Sequence, residues 1–315
     1  MHADAHDHPV LPPELSRECH SRDSWRHMVR GIWFALLYGV GAAGAVMVAA
    51  GMASPWKFLV CLPLYLLAAA SLHGISLFTH EAVHGTLSRN RWLNAVMGSA
   101  CAIPVLQNYS AYKVLHLRHH QHLGEDGDPD HYANYTRWSW MIFSMNWARL
   151  LVGYPVYIVA IPILGFRHGD ARARAGILTE VAATAALIAV VVLSPVPASW
   201  ILHAWVFPML IINTMVNIRG MSQHTLLEHA DDEVRGTRSI LTVPVVRFFM
   251  CNENYHLEHH LFPGVPWHHL PQVHAALADD LRKQGAPYIP SYGSFVMEFI
   301  RGSLKRSPLG WRKAR

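Results

Sequence analysis

Ile32 to Gly51 reads IWFALLYGVGAAGAVMVAAG, 20 residues without a charge. At 1.5 Å per residue a helix of that length reaches about 30 Å, the thickness of a bilayer's hydrocarbon core. The stretch is expected to be a transmembrane helix. Ser54, Pro55, Trp56 and Lys57 break it, and a second apolar run then continues to Phe78. So short a linker leaves room only for a tight hairpin. The pattern returns in Ile177–Leu193 and Trp200–Ile218, joined by the uncharged Ser194–Ser199. Trp92–Leu106 is short, and Leu150–Phe166 is interrupted by Pro155 and Pro162. These two are expected to be interfacial or re-entrant.

Composition agrees. Of 315 residues 52% are hydrophobic and 15% charged, against about 25% charged in soluble chains. Disorder, collagen and coiled coil are excluded. Residues 1–30 are polar, with no apolar core of a cleavable signal. The net charge of +5 does not point to nucleic acid, because no basic cluster is interleaved with aromatics. It follows topology instead. Of the 26 Lys and Arg, 25 fall on one side if four spans are paired in two hairpins, and only Lys57 lies in an outer loop. The positive-inside rule then puts both termini in the cytoplasm, for a protein of the cytoplasmic membrane. Cys19, Cys61, Cys101 and Cys251 form no CxxC pair and suggest neither a disulfide framework nor a thiolate metal site.

The 23 histidines need a chemical explanation. His116-Leu117-Arg118-His119-His120 recurs as His256-Leu257-Glu258-His259-His260. Positions i, i+3 and i+4 share a helical face, so each box aims three imidazoles at one point. A shuffled chain of this composition would give such a box roughly 0.1 times. His80-Glu81-Ala82-Val83-His84 adds an i, i+4 pair and also reads as HExxH, the zinc metalloprotease signature, with Glu81 as general base. That rival needs one metal and leaves both HxxHH boxes unexplained. Eight histidines are too many for one tetrahedral zinc. They suit two metals if one or two further ligands join, from His224 or from His229. Imidazole alone does not choose among iron, copper, nickel and zinc. In the expected topology every cluster lies on one membrane face.

The three boxes, with the run Asn252-Glu253-Asn254-Tyr255-His256 through Leu261-Phe262-Pro263-Gly264-Val265-Pro266-Trp267-His268-His269-Leu270-Pro271, resemble the membrane fatty acid desaturase family. Order and spacing agree from about Leu72 to Pro271. The resemblance implies an all-α integral membrane protein of four transmembrane helices in two hairpins, with a cytoplasmic helical cap carrying a di-iron site. It divides the chain into a polar tail (1–30), a desaturase-like membrane domain (31–275) and a basic cytoplasmic tail (276–315). It also implies two iron ions, dioxygen as co-substrate, and oxidation of an unactivated C–H bond of a lipid or fatty acyl chain. Hydroxylase and carotenoid ketolase activities share the same motifs. Carried over, the ligands are His80, His84, His116, His119, His120, His256, His259 and His260, with His224 preferred to His229 because it directly follows a span. Asn252 matches an asparagine that acts through water. Asp128 and Asp130 are candidates to orient imidazoles from behind.

Other features have simpler readings. Asp126, Asp128 and Asp130 copy the start of an EF-hand, but His131 and Arg137 stand where Gly and Glu are needed, so a turn is expected. His2, His6 and His8 read as a solvated tail. His73, near a span, is expected to face the interior, and His203 to be structural. His268, His269 and His274 are expected around the site or at the surface. The GxGxxG spacing of Gly39–Gly44 lies inside the first apolar span and is no dinucleotide-binding unit, and there is no fused cytochrome b5 HPGG motif, so electrons must come from a separate donor, a ferredoxin or cytochrome b5-type carrier. The basic face would steer an acidic one.

Overall fold

A computed structural model of the chain describes residues 9–227 and 229–305, with side chains through 303. His2, His6, His8 and residues 306–315 lie outside it. The helices are α1 (Pro13–Cys19), α2 (Ser24–Gly51), α3 (Lys57–Val83), α4 (Arg91–Ala102), α5 (Tyr109–Gln121), α6 (Ser139–His168), α7 (Ala171–Leu193), α8 (Ala198–Ile201), α9 (Phe207–His224), α10 (Pro244–Phe249), α11 (His256–Leu261), α12 (Leu270–Lys283) and α13 (Tyr292–Lys305). A π-helical turn at Leu202–Val206 joins α8 to α9 in one rod. Two short parallel strands, β1 (Ser239–Ile240) and β2 (Tyr288–Ile289), pair in the register Ser239–Tyr288.

The expected hairpin of α2 and α3 is the tightest pair. Asp23 starts it, its Oδ1 accepting from the Trp25 and Arg26 amides. Gly41 lets the helices close, since a Cβ there would lie 2.8 Å from the Leu64 carbonyl oxygen. α3 is the central post, touching α4, α5, α9 and α10. Leu36, Val40, Met47, Leu59, Val190 and Val192 on the long helices are exposed, as befits side chains whose solvent is lipid. Trp25, Trp56, Trp92, Trp138 and Trp200 are exposed near helix ends, where an interfacial aromatic belt belongs.

Five helices, α2, α3, α6, α7 and the α8–α9 rod, are long and apolar enough to cross a membrane. The extra one is α6, which extends the segment beginning at Leu150 back to Ser139. Its backbone departs from helical at Val152 (φ −138°, ψ 23°). The cause is local: Pro155 has no N–H to offer the Leu151 carbonyl four residues back. Asn213 of α9 repairs the break, donating to that carbonyl at 2.8 Å and accepting the Tyr154 amide at 3.2 Å. Apolar content alone does not reveal that a partner helix mends such a break. The second hairpin also differs, because α7 packs chiefly on α5 and α6.

Both expected tails are folded where described. Leu11 and Cys19 are buried beside Leu257 and Val273. The boundary at 275 falls inside α12, whose Val273, Leu277 and Leu281 are buried, and Phe295 and Phe299 of α13 pack on Met221. Apolar residues at helical spacing among many charges let α12 and α13 cover the cap while staying polar outside.

Candidate metal centre

His80 and His84 stand at the end of α3, His116, His119 and His120 in the last turns of α5, His224 at the end of α9, and His256, His259 and His260 in α11. These nine converge. One Nε2 string runs His84–His116 (3.0 Å) and His116–His120 (3.1 Å). Another runs His119–His224 (3.3 Å), His224–His256 (3.2 Å) and His256–His260 (3.1 Å). Ring nitrogens of His80, His84, His116 and His259 form one compact group that could hold a metal ion, and those of His119, His224 and His260 a second.

The donor set fits metal. Bonds of about 2.0–2.1 Å to each imidazole put adjacent nitrogens about 3.0–3.4 Å apart. The Nε2 atoms of His80 and His259 are buried with no hydrogen-bond partner, which costs about 1–3 kcal/mol each unless something fills the space between them. Burial, reinforced by neighbouring imidazoles, pushes His116, His256, His259 and His260 well below the usual histidine range. It brings His120 to about 2, and His84 to about 4 against the opposing pull of Glu81. These imidazoles are neutral at physiological pH, the form that ligates.

Their far nitrogens are held from behind. Asp128 Oδ1 meets His119 Nδ1 at 2.8 Å and is itself fixed by the Asp130 amide, while its Oδ2 takes the Gly124 amide. Burial opposes protonation of His119, but the Asp128 and Asp130 carboxylates outweigh it and raise its pKa. Burial likewise opposes the charge on Asp128, yet these bonds keep its carboxyl below the usual range. His224 Nδ1 bonds the Gly236 carbonyl at 3.0 Å, and His256 Nδ1 meets Gln223 Nε2 at 3.2 Å. Gln223 and Arg219 both bond the buried Glu253.

The supports lie around backbone turns of unusual sign. Gly85 follows His84 at φ 72°, Leu106 precedes α5 at 61°, Leu226 follows His224 at 66°, and Cys251 and Asn252 precede α11 at 45° and 53°. Left-handed non-glycine residues cost about 1–3 kcal/mol each and persist where packing over-determines them. α11 is further clamped by Glu258, which accepts from Ser239 Oγ (2.5 Å) and Tyr288 Oη (2.9 Å) and meets His274 Nδ1 (2.5 Å). α5 is held from the opposite side by Glu180 of α7, which accepts from Ser99 Oγ, the Ser110 amide and Ser110 Oγ. Glu180→Ala strands those donors, and is expected to cost about 1–3 kcal/mol, read as a lower thermal midpoint in detergent.

Of the other candidates, His229 is exposed and does not join the cluster. Asn252 gives its amide to the Trp267 carbonyl at 3.1 Å. Asp130 is exposed at the wall of the cavity described below. Glu81 accepts from Thr86 Oγ1 (2.7 Å) and the Trp267 amide (3.2 Å) and faces His27. Those bonds tie it to the packing behind the first box, where a protease's general base would face the metal. His203 pairs with Tyr65 between Phe58 and Phe207, a structural role, and His73 lines an apolar cavity beside α10. His269 bonds Ser21 and Gln272, while His268 packs edge-on against His27 and Trp267.

Missed in the sequence were Gln223, Glu253, Glu258, Glu180 and Arg149. The available signals were an ionisable residue inside or beside an apolar segment, for Glu180 and Arg149, and an acid three residues before a ligand box, for Glu253.

A cavity of about 340 Å³ between α5, α6 and α9 reaches His116, His119 and His256. Val156, Ala160, Ile161, Leu164 and Val216 form its apolar wall, suited to an alkyl chain.

The sequence profile of the fatty acid desaturase family matches residues 54–292. The chain belongs to the fatty acid desaturase family. As a member it is an oxidoreductase that attacks lipid C–H bonds with dioxygen, and a membrane protein. It is 26% identical over 254 residues to human sphingolipid delta(4)-desaturase/C4-monooxygenase DES2, covering 77% of this chain and 74% of that protein. Dihydrorhizobitoxine desaturase of Bradyrhizobium elkanii is 26% identical over 261 residues, 75% of this chain and 72% of that one. The sn-1 oleoyl-lipid 12-desaturase of Arthrospira platensis is 21% identical over 272 residues, 76% and 73% respectively.

Proposed function

We propose that this chain is a di-iron lipid desaturase. His80, His84, His116, His120 and His259 would hold one iron, and His119, His224, His256 and His260 the other. The observation that carries this reading is the convergence of nine imidazoles, seven of them in two compact groups, on the end of a cavity with an apolar wall. Bound there, the irons would supply the redox chemistry for using dioxygen and two electrons on an unactivated C–H bond. The protein's own part is placement. Asp128 and the Gly236 carbonyl accept from Nδ1 of His119 and His224, leaving each Nε2 aimed at metal, and Gln223 and Glu253 stand behind Nδ1 of His256. The apolar wall positions the chain and excludes water.

Four crossings with both termini on one face are supported by parity, and the positive-inside bias of Lys and Arg favours the cytoplasmic face. The ends of α3 and α9 meet in one cluster, so an even number of crossings separates them. Of α6, α7 and the α8–α9 rod, one does not cross. α6, kinked at Val152 and packed on α5, fits an interfacial course. The chain is then a cytoplasmic-membrane enzyme whose electrons come from an acidic ferredoxin or cytochrome b5-type carrier. Hydroxylation is a second reading, favoured by the monooxygenase activity in the name of the human relative.

The test is lipid mass spectrometry of a host with and without the protein. Oxygen-dependent products lighter by two hydrogens support desaturation, and products heavier by one oxygen support hydroxylation. An unchanged lipid profile in the presence of donor and oxygen counts against both.

A further inference from the structure

The cavity that ends on the histidines also holds a cation that makes no direct ion pair, its nearest opposite charge being Asp130 across the cavity and its polar neighbour Tyr132. Arg149 of α6 lines it together with His116, His119 and His256. Among the described residues no carboxylate comes within ion-pair distance of this guanidinium, whereas the neighbouring Arg219 is engaged by Glu253. Arg149 is lodged in a set place. Its Nη2 lies 2.8 Å from where a Cβ on Gly220 would be, so the bare face of α9 accommodates it, and its stem packs where Gly153 has no side chain. Tyr132 stands by the guanidinium, 6.0 Å from its carbon to the ring centre. Asp130 offsets part of the cost of this charge at longer range, but a guanidinium carries five N–H donors in a planar fork, and those not used by Tyr132 are left for an anion in the cavity. Gly220 is one helical turn before His224, so an anion at Arg149 would sit about 6 Å along α9 from a ligand imidazole.

We infer that Arg149 binds the carboxylate of the substrate, and that oxidation falls within the first few carbons of that carboxylate. The inference rests on the lipid-oxidation reading above and specifies its substrate class. A planar guanidinium matches a carboxylate in two parallel hydrogen bonds. Asp130 on the same cavity wall already offsets part of the Arg149 charge, so a singly charged carboxylate is accommodated better than a doubly charged phosphate. The alkyl chain then runs from Arg149 past the imidazoles along Val156, Ala160 and Ile161.

The experiment is displacement of a fluorescent fatty acid from the purified full-length protein, with and without iron. The competitors are a C16 free acid, its methyl ester and a lysophosphatidic acid of the same chain. The free acid is expected to bind about tenfold tighter than the ester, as charged hydrogen bonds warrant. Arg149→Gln should weaken the acid about tenfold and leave the ester unchanged, while Arg149→Lys keeps part of the preference. Equal binding of acid and ester, equal weakening of both by Arg149→Gln, or tighter binding of the phosphate would overturn the inference. If Arg149→Gln does not fold, the acid-to-ester ratio in the unaltered protein decides alone. Products oxidised in mid-chain also count against it. Binding does not require iron, so an intact acid preference in a protein that holds no iron marks failure of the metal reading instead.

Discussion

His259→Ala is expected to yield a protein that still enters the membrane, holds less iron than the unaltered chain, and forms no product. His259 contributes to the group with His80, His84 and His116, and its Nε2 is buried with no other partner. Removing it takes away a ligand without stripping any visible hydrogen bond from that atom, so the loss should appear in metal content before it appears in folding. Iron content and turnover of the purified variant check this. His229→Ala is the matched control: its side chain is exposed and outside the cluster, and both readouts should stay at their original values. Normal turnover in His259→Ala would sink the ligand assignment.

Asp128→Asn should lower metal affinity by roughly 10–100-fold, the usual consequence of removing a carboxylate behind a ligand histidine. The ring of His119 donates through Nδ1 to Asp128 Oδ1 at 2.8 Å, and the carboxylate is pre-set by the Gly124 and Asp130 amides. A neutral amide keeps the shape of this support and loses its charge, so His119 becomes a poorer and less firmly oriented donor. Competition with a chelator measures the effect. An affinity within twofold of the unaltered protein would show that His119 needs no support from Asp128.

The histidine boxes were legible because they are local. HxxHH on a helix places three rings on one face whatever surrounds it, and the structure does gather His116–His120 and His256–His260 with His80, His84 and His224. Asp128 was readable for the same reason, being a few residues from its imidazole. Other features depend on partners distant in sequence. The bend in α6 follows from Pro155, but its repair comes from Asn213, 62 residues beyond Leu151. Leu106, Leu226 and Cys251 take left-handed backbone although nothing in their side chains asks for it, and only surrounding packing imposes it. The folded C-terminal part was hidden because α13 carries its buried Phe295 and Phe299 among exposed and basic residues. Charge bias speaks to which side of a membrane a segment prefers and says nothing of whether it is folded there.

The metal content of the full-length protein, purified from membranes without added chelator, tests the central claim most directly. Two iron atoms per chain, lost together with oxygen-dependent lipid oxidation on chelation and restored by ferrous iron, is the predicted result. One zinc per chain, with oxidation unaffected by removing iron, would contradict it.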